Sequence, residues 1–396
     1  MLTQEIKEMA SDIRDKLIET RRALHMQPEL AFEEIKTSRL IAEYLKQINI
    51  ETTEGVAKTG VVGLIRGSKP GKTLAIRADM DALPITEENC CDYKSTIDGK
   101  MHACGHDAHI TCLLGAAEIL NNLKDRLSGN IKLIFQPAEE GVGGALPMIE
   151  EGVMENPKVD ACIAAHVWPE VPAGKIAVKH GAIMASPDDF EIIIKGKGGH
   201  GAMPHAVIDP IVIGCQVVNA LQTIASRKVN PLKPVVISVC SFHSGTCTNV
   251  IPDTAVIKGT ARTLDRDLRN SIAGLIEEII AGIVHSMGGE YEFNFKYLYP
   301  PTINDTTITD LLVHSTSKVI GQENVLWAED PSMGGEDFAF FAEKAPSTFF
   351  RLGCGNVAKG LVYPIHNARF DVDEDCITVG ASVFAQFAVD YLSEEM

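Results

Sequence analysis

Apolar positions along this chain fall into two rhythms, one helical and one of short continuous runs, and the two alternate. From the start to about Tyr44 the spacing is helical, and Gln27-Pro28-Glu29 interrupts it, because proline lacks the amide hydrogen that a helix interior uses. Two helices are predicted there. Apolar runs of strand length follow at Thr73–Ala78, Ile131–Phe135 and Ala161–Ala165. Between the first two, Asp107 is an N-cap candidate for a helix with apolar residues at Ile110, Leu113, Leu114, Ala117 and Leu120. Strands alternating with helices predict an α/β fold with a parallel sheet covered on both sides.

The texture changes near Ser186-Pro187. Phe190–Lys195 predicts a strand, Ile208–Ser226 a helix, Pro234–Phe242 and Thr254–Arg262 strands, Leu268–Ser286 a helix and Tyr291–Leu298 a strand. That βαββαβ order is ferredoxin-like. After Pro300-Pro301 a strand at Thr348–Leu352 and a helix near Thr378–Leu392 resume the first pattern. The expectation is a discontinuous, two-sided α/β catalytic domain (1–184 and 299–396) interrupted by a ferredoxin-like lid and dimerisation domain (185–298). A chain of 396 residues is long enough for two cores.

Composition narrows the class. With 36 basic against 53 acidic residues the formal charge is −17, and no run of Lys or Arg offers nucleic acid or anionic lipid a foothold. No uninterrupted apolar run reaches the roughly 18 residues of a membrane span. The opening Met1-Leu2-Thr3-Gln4-Glu5 lacks the basic start and apolar stretch of a signal peptide, and the 10 cysteines are scattered. Both point to reduced thiols in the cytoplasm.

Chemistry concentrates in a few segments. Cys104 and His106, Glu140, His166 and His366 stand in stretches that read as strand ends or tight loops. Each alone is an ordinary buried Cys, satisfied His or surface Glu. Together they are the thiolate, imidazole and carboxylate donors a divalent transition metal takes, and five with a spare glutamate suggest two metals. In an open α/β sheet such loops gather beyond the carboxyl ends of the strands. Cys104 and His106, two apart, would lie on one side of an extended backbone, and could grip one metal or lean on two. Neighbouring side chains diverge, so Glu140 can ligate while Glu139 faces the attacking water as a base. Asp79 and Asp81 either orient a ligand imidazole or cap a turn before Pro84.

The chain resembles the amidohydrolase branch of the aminoacylase/carboxypeptidase metallopeptidase family, which includes hippurate hydrolases, auxin-conjugate hydrolases and N-acetyl-diaminopimelate deacetylases. The resemblance rests on Arg21-Arg22-Ala23-Leu24-His25-Met26-Gln27-Pro28-Glu29-Leu30, Arg77-Ala78-Asp79-Met80-Asp81-Ala82-Leu83-Pro84, Met101-His102-Ala103-Cys104-Gly105-His106-Asp107 and Ile365-His366-Asn367. It implies a binuclear site held by Cys104, His106, Glu140, His166 and His366, with Glu139 as general acid/base and Asp81 assisting. The two ions are Zn, Mn, Co or Ni. In the inserted domain it implies that His200 stabilises the oxyanion, and that Asn249 and Arg262 hold a substrate carboxylate; for Arg262 a surface salt bridge is the alternative. Gly335, in the loop Gly334-Gly335-Glu336-Asp337, is a candidate for close approach to substrate. The implied reaction is hydrolysis of a small N-acyl amino acid by a homo-oligomer, a dimer through the inserted domain. A dipeptidase or carboxypeptidase using the same site is the alternative, and a non-catalytic metal-binding protein a more distant one, since Glu139 would then have no task.

Overall fold

The computed structural model describes residues 2–393. The chain separates into two compact units, Met1–Gly181 with Ile303–Asp330 and Asp337–Met396, and Ala182–Thr302 with Pro331–Glu336.

The first unit is built on an eight-stranded sheet. Its spatial order is Glu51–Val56, Gly60–Arg66, Ser128–Gln136, Lys69–Asp79, Ala161–Pro172, Ser347–Gly355, Ile176–Val178 and Val325–Trp327. The strands Ser128–Gln136, Lys69–Asp79, Ala161–Pro172 and Ser347–Gly355 run parallel, but the sheet as a whole is mixed. Glu51–Val56 and Gly60–Arg66 form an antiparallel hairpin on one side, and Ile176–Val178 runs antiparallel to Ser347–Gly355 on the other. The parallel sheet expected from the alternation is the centre of this one, and antiparallel strands extend it on both sides. Glu51–Val56, largely exposed and rich in Thr and Glu, has no apolar run to announce a strand.

Helices cover both faces. The adjacent residues Phe349 and Phe350 point to opposite sides of the sheet, one against Phe338 and the other against Phe384 of the helix Asp375–Ser393. That last helix is long and apolar enough to cross a membrane, but 78% of the stretch is buried inside the unit, where it packs on the helix His106–Asn122. The N-terminal region makes three helices rather than two, Leu2–Asp12, Arg14–His25 and Ile35–Gln47. Proline accounts for the second break; no glycine or proline marks the first, at Ile13. Asp107 is not a cap either. The N-cap of His106–Asn122 is Gly105, in the left-handed region at φ +85°, and Asp107 lies within the first turn. Glycine is suited to that position because it has no Cβ to clash.

In the second unit four antiparallel strands lie in the order Val235–Ser244, Thr254–Thr263, Ser186–Lys195, Glu290–Lys296. Helices Pro210–Thr223 and Arg266–Ser286 complete the βαββαβ sequence, and their caps are Asp209 and Asp265, which accept amide hydrogens from Ile211 and Leu268 at 2.8 Å. Alternate strand residues Phe190, Ile192 and Ile194 join Ile272, Ile276 and Ile280 in a separate core.

The helix His106–Asn122 is fitted tightly. A Cβ on Gly115 would lie 2.7 Å from Leu17 Cδ1 and 2.9 Å from Ala381 Cβ, closer than side chains pack. Gly115→Ala is therefore expected to destabilise by about 1–3 kcal/mol through overpacking, outweighing its better helix propensity. Urea unfolding at unchanged m-value checks this, and a variant as stable as the parent would show that the helices spread at no cost.

Candidate metal centre

The parallel register puts the functional loops at one level. Asp79 pairs with Gln136, the last residue before Pro137-Ala138-Glu139-Glu140, and Arg77 pairs with Ala164, two residues before His166. His166 lies within its long strand rather than beyond it. Around this level all five expected donors meet. The ligating atoms of Cys104, His106 and His166 lie within 4.8 Å of one another, as do those of Cys104, Glu140 and His366. Cys104 belongs to both triples. Its Sγ is 3.3 Å from His166 Nε2, and Glu140 Oε1 is 3.0 Å from His366 Nε2. His106 and Glu139 form a further group with Glu140.

Strained backbone aims these side chains. Gly105 turns the chain between Cys104 and His106, so the backbone there is not the extended one expected. Ala138 at φ +57° turns the chain into Glu139-Glu140, and His366 itself sits at φ +65° with its amide donated to Ala103 O at 2.8 Å. Non-glycine residues in that region are held there by their surroundings. Glu34, buried, holds the Ala138 turn by accepting the Ala138 amide at 2.9 Å and the Thr59 hydroxyl at 2.6 Å.

The two aspartates have different surroundings: Asp81 meets the glutamate turn and His106, and Asp79 meets His109 and Arg77. Asp81 accepts the amides of Glu139 and Glu140 at 2.9 and 3.0 Å and lies 3.4 Å from His106 Nδ1. Asp79 takes His109 Nδ1 at 2.5 Å and Arg77 Nη1 at 2.7 Å. Arg77 also reaches Gln136 at 2.8 Å and Asp337 at 2.9 Å, all within the interior. His109 accepts the Val167 amide on Nε2 at 2.8 Å, so its proton is on Nδ1, toward Asp79. Neither His109 nor Arg77 stood out in the sequence. His109 is three residues after His106, one helical turn on, which is the signal that would have found it.

The electrostatics suit a cation. Burial disfavours a proton on His106, but Asp79, Asp81 and Glu140 prevail and raise it to about 10. Its Nε2 is buried without a hydrogen-bond partner, so a site for positive charge is built between acids. Burial and His109 hold His166 down to about 3. With its Nδ1 at 2.8 Å from the Val167 carbonyl, which only accepts, the Nε2 lone pair faces Cys104. Burial and then Glu140 and Glu139 push the Cys104 thiol well above its ordinary range, so a thiolate there needs a cation beside it. Glu140 goes the other way: burial opposes ionisation, but hydrogen bonding to His366 and the charge of His106 bring it to about 2. One thiolate, three imidazoles and a carboxylate are a donor set that fits two divalent transition metals.

The remaining candidates lie in the second unit. His200 pairs with Val250 in a two-strand ladder, and the Gly201 amide donates to Asn249 O at 2.8 Å, so His200 and Asn249 share one exposed corner. Arg262, half-buried, donates to Thr260 Oγ1 at 3.0 Å and the Met333 carbonyl at 3.4 Å. Gly335 has a packing reason, since a Cβ there would lie 2.4 Å from the Pro187 ring.

This constellation on this fold defines a metallohydrolase. Residues 75–390 match the model of peptidase family M20/M25/M40, and the chain belongs to that family. It is 45% identical to thermostable carboxypeptidase 1 of Saccharolobus solfataricus over 394 residues, covering 98% of this chain and 99% of that one. It is 47% identical to N-acyl-L-amino acid amidohydrolase of Geobacillus stearothermophilus over 305 residues, 77% of this chain and 82% of that one. The crystal structure of the Bacillus subtilis YXEP protein, a dinuclear metal binding peptidase, superposes with a TM-score of 0.84 at 36% identity over 96% of this chain and 99% of that one.

Behind the centre lies a second buried charged group that the sequence did not announce. His25 donates between Asp107, at 2.8 Å, and Glu87, at 3.3 Å. Burial and Arg21 oppose its protonation, but Asp107 and Glu87 win and raise it to about 9 from 6.5. A raised folded value means that the contribution is whole below pH 6.5 and is lost as pH climbs through 9. The stability gap between the parent and His25→Gln is expected to shrink over that window by on the order of 3 kcal/mol. Urea unfolding at pH steps measures it, and a gap constant with pH would mean that His25 stays neutral.

Proposed function

We propose that this chain is a metal-dependent amidohydrolase that cleaves the amide of N-acyl amino acids into a carboxylic acid and a free amino acid. The reading is carried by two donor triples that share Cys104, with Glu139 beside the ligand Glu140. Cys104, His106 and His166 would hold one cation and Cys104, Glu140 and His366 the other. When bound, such ions lower the pKa of a water between them toward neutrality and polarise the scissile carbonyl.

Glu139 accepts a proton from that water as its oxygen joins the carbonyl carbon. It then gives the proton to the amine nitrogen as the C–N bond breaks. Asp81, which receives the amides of both glutamates, sets the direction in which Glu139 points. To His200 we assign a hydrogen bond to the oxyanion, a donor role worth about 3 kcal/mol in other enzymes. To Asn249 and Arg262 we assign the substrate carboxylate, which a planar guanidinium meets with two parallel bonds. Gly335 keeps its place as a close-approach position beside Arg262's partner Met333.

Thiolate ligation favours zinc, with Mn, Co and Ni as competitors. The ten-residue edge strand Val235–Ser244 offers a pairing surface for a second copy of the chain. A cytoplasmic location agrees with ten cysteines that are all free thiols. The carboxypeptidase relatives favour a second reading, peptide cleavage from a free C-terminus by the same centre.

Hydrolysis of N-acetyl, N-benzoyl and dipeptide substrates by metal-stripped protein refilled with Zn, Mn, Co or Ni separates the two readings. N-acyl amino acids are expected to be cleaved fastest; a clear preference for peptides would move the assignment to peptidase. Glu139→Gln is expected to retain two ions and lose about 10²–10⁴ in kcat. Near-parent turnover in that variant would remove Glu139 as the base. Cys104→Ala is expected to bind fewer than two ions, and full retention of both would contradict the shared ligand.

A further inference from the structure

The motif Arg21–Leu30 has no part in the chemistry above, yet Arg21 and His25 are its most deeply buried members. Arg21 sits between two carboxylates from opposite ends of the chain. Its Nε lies 2.8 Å from Asp107, the residue after His106, and its Nη2 donates at 2.8 Å to Asp371, five residues after His366. Tyr93 Oη holds the other Asp371 oxygen at 2.7 Å. His25 continues the chain of contacts through Glu87 to a strap, in which the Glu88 amide donates to Ala368 O at 2.8 Å and Asn89 to Phe370 O at 2.9 Å.

The two triples differ in what holds them. Cys104, His106 and His166 are buried in the core, with Asp81 beside His106 and the Val167 carbonyl on His166. His366 has a side chain 50% exposed and a left-handed backbone, and among the described residues its ring is held only by Glu140 at 3.0 Å. Its loop is anchored on either side by Ile365 against the core and Phe370 within it, and further by the Ala103 carbonyl, by the strap and, through Asp371, by Arg21.

We propose that Arg21 is a positioning residue for the second cation: by tying the His366 loop to the helix that starts at His106, it keeps Cys104, Glu140 and His366 at ligating separation. This rests on the binuclear reading above. Arg21 touches no ligand, so its loss acts through the loop and falls on one ion more than on the other.

The test is metal titration of the stripped, full-length protein with Zn or Mn, read by bound-metal analysis and calorimetry rather than by turnover. The parent is expected to bind two ions. Arg21→Met and Asp371→Asn are expected to keep the first and weaken the second at least tenfold, approaching His366→Ala, and Arg21→Lys to recover part of the loss. Equal affinity for both ions in the variants, or equal weakening of both, would overturn the proposal and leave Arg21 a general stabiliser. Should Arg21→Met not fold, Asp371→Asn decides by the same criterion. A parent that binds fewer than two ions would instead overturn the binuclear reading itself.

Discussion

Four carboxylates, those of Asp79, Asp81, Glu139 and Glu140, are gathered around His106 at a level of the sheet largely shut off from water. Such a concentration of acid cannot stay ionised in a low-dielectric place without positive charge supplied to it. The surrounding structure is arranged around that demand. Arg77 neutralises Asp79 and Asp337 from below, backbone amides of the Glu139-Glu140 turn neutralise Asp81, and imidazoles fill the centre. What is left over is the space between Cys104, His106, Glu140, His166 and His366, where the donor atoms of these five residues face one another. A pair of cations there completes the charge balance and makes the thiolate possible, so ligand binding and the stability of the site are one problem.

The fold meets this demand by dividing labour. Parallel strands deliver Asp79 and the glutamate turn to one level, and His166 is set inside a strand whose pairing continues past it. The donors themselves are carried on turns with left-handed backbone at Gly105, Ala138 and His366. Strain of that kind persists only where neighbours over-determine it, and each turn has its own fastening: close packing on Val167 for Gly105, Glu34 for Ala138, Ala103 and the Arg21 group for His366. The rigid half of the centre draws on the core, the outer half on a network of buried ion pairs. Buried pairs of this sort seldom add net stability relative to apolar residues, but they hold geometry, and removing one partner strands the other's charge.

Much of the site was legible in the chain. Cys104, His106, Glu140, His166 and His366 are ordinary one by one and make a metal-donor set only together, and all five converge. The βαββαβ unit was legible from the order of strand-like and helical runs between Phe190 and Leu298. Less visible were elements whose reasons lie elsewhere in the molecule. Glu51–Val56 is a strand because Gly60–Arg66 offers it an edge, not because of its own residues. Asp107 looks like a cap in isolation and is instead claimed by Arg21 and His25 from another helix. Gly335 suggested substrate contact, and Pro187 gives it a steric reason.

Residue chemistry and local periodicity therefore determined the α/β class, the inserted unit, the donor set and the acid beside it, because those depend on side-chain type and on spacing within one segment. Only the tertiary structure decided that Cys104 joins both triples, that Asp79 meets His109 while Asp81 meets His106 and the glutamate turn, and that Arg21 bridges Asp107 and Asp371. Those outcomes depend on distances between segments up to 350 positions apart, and such distances are set by packing and buried charge balance, which no single stretch of sequence contains.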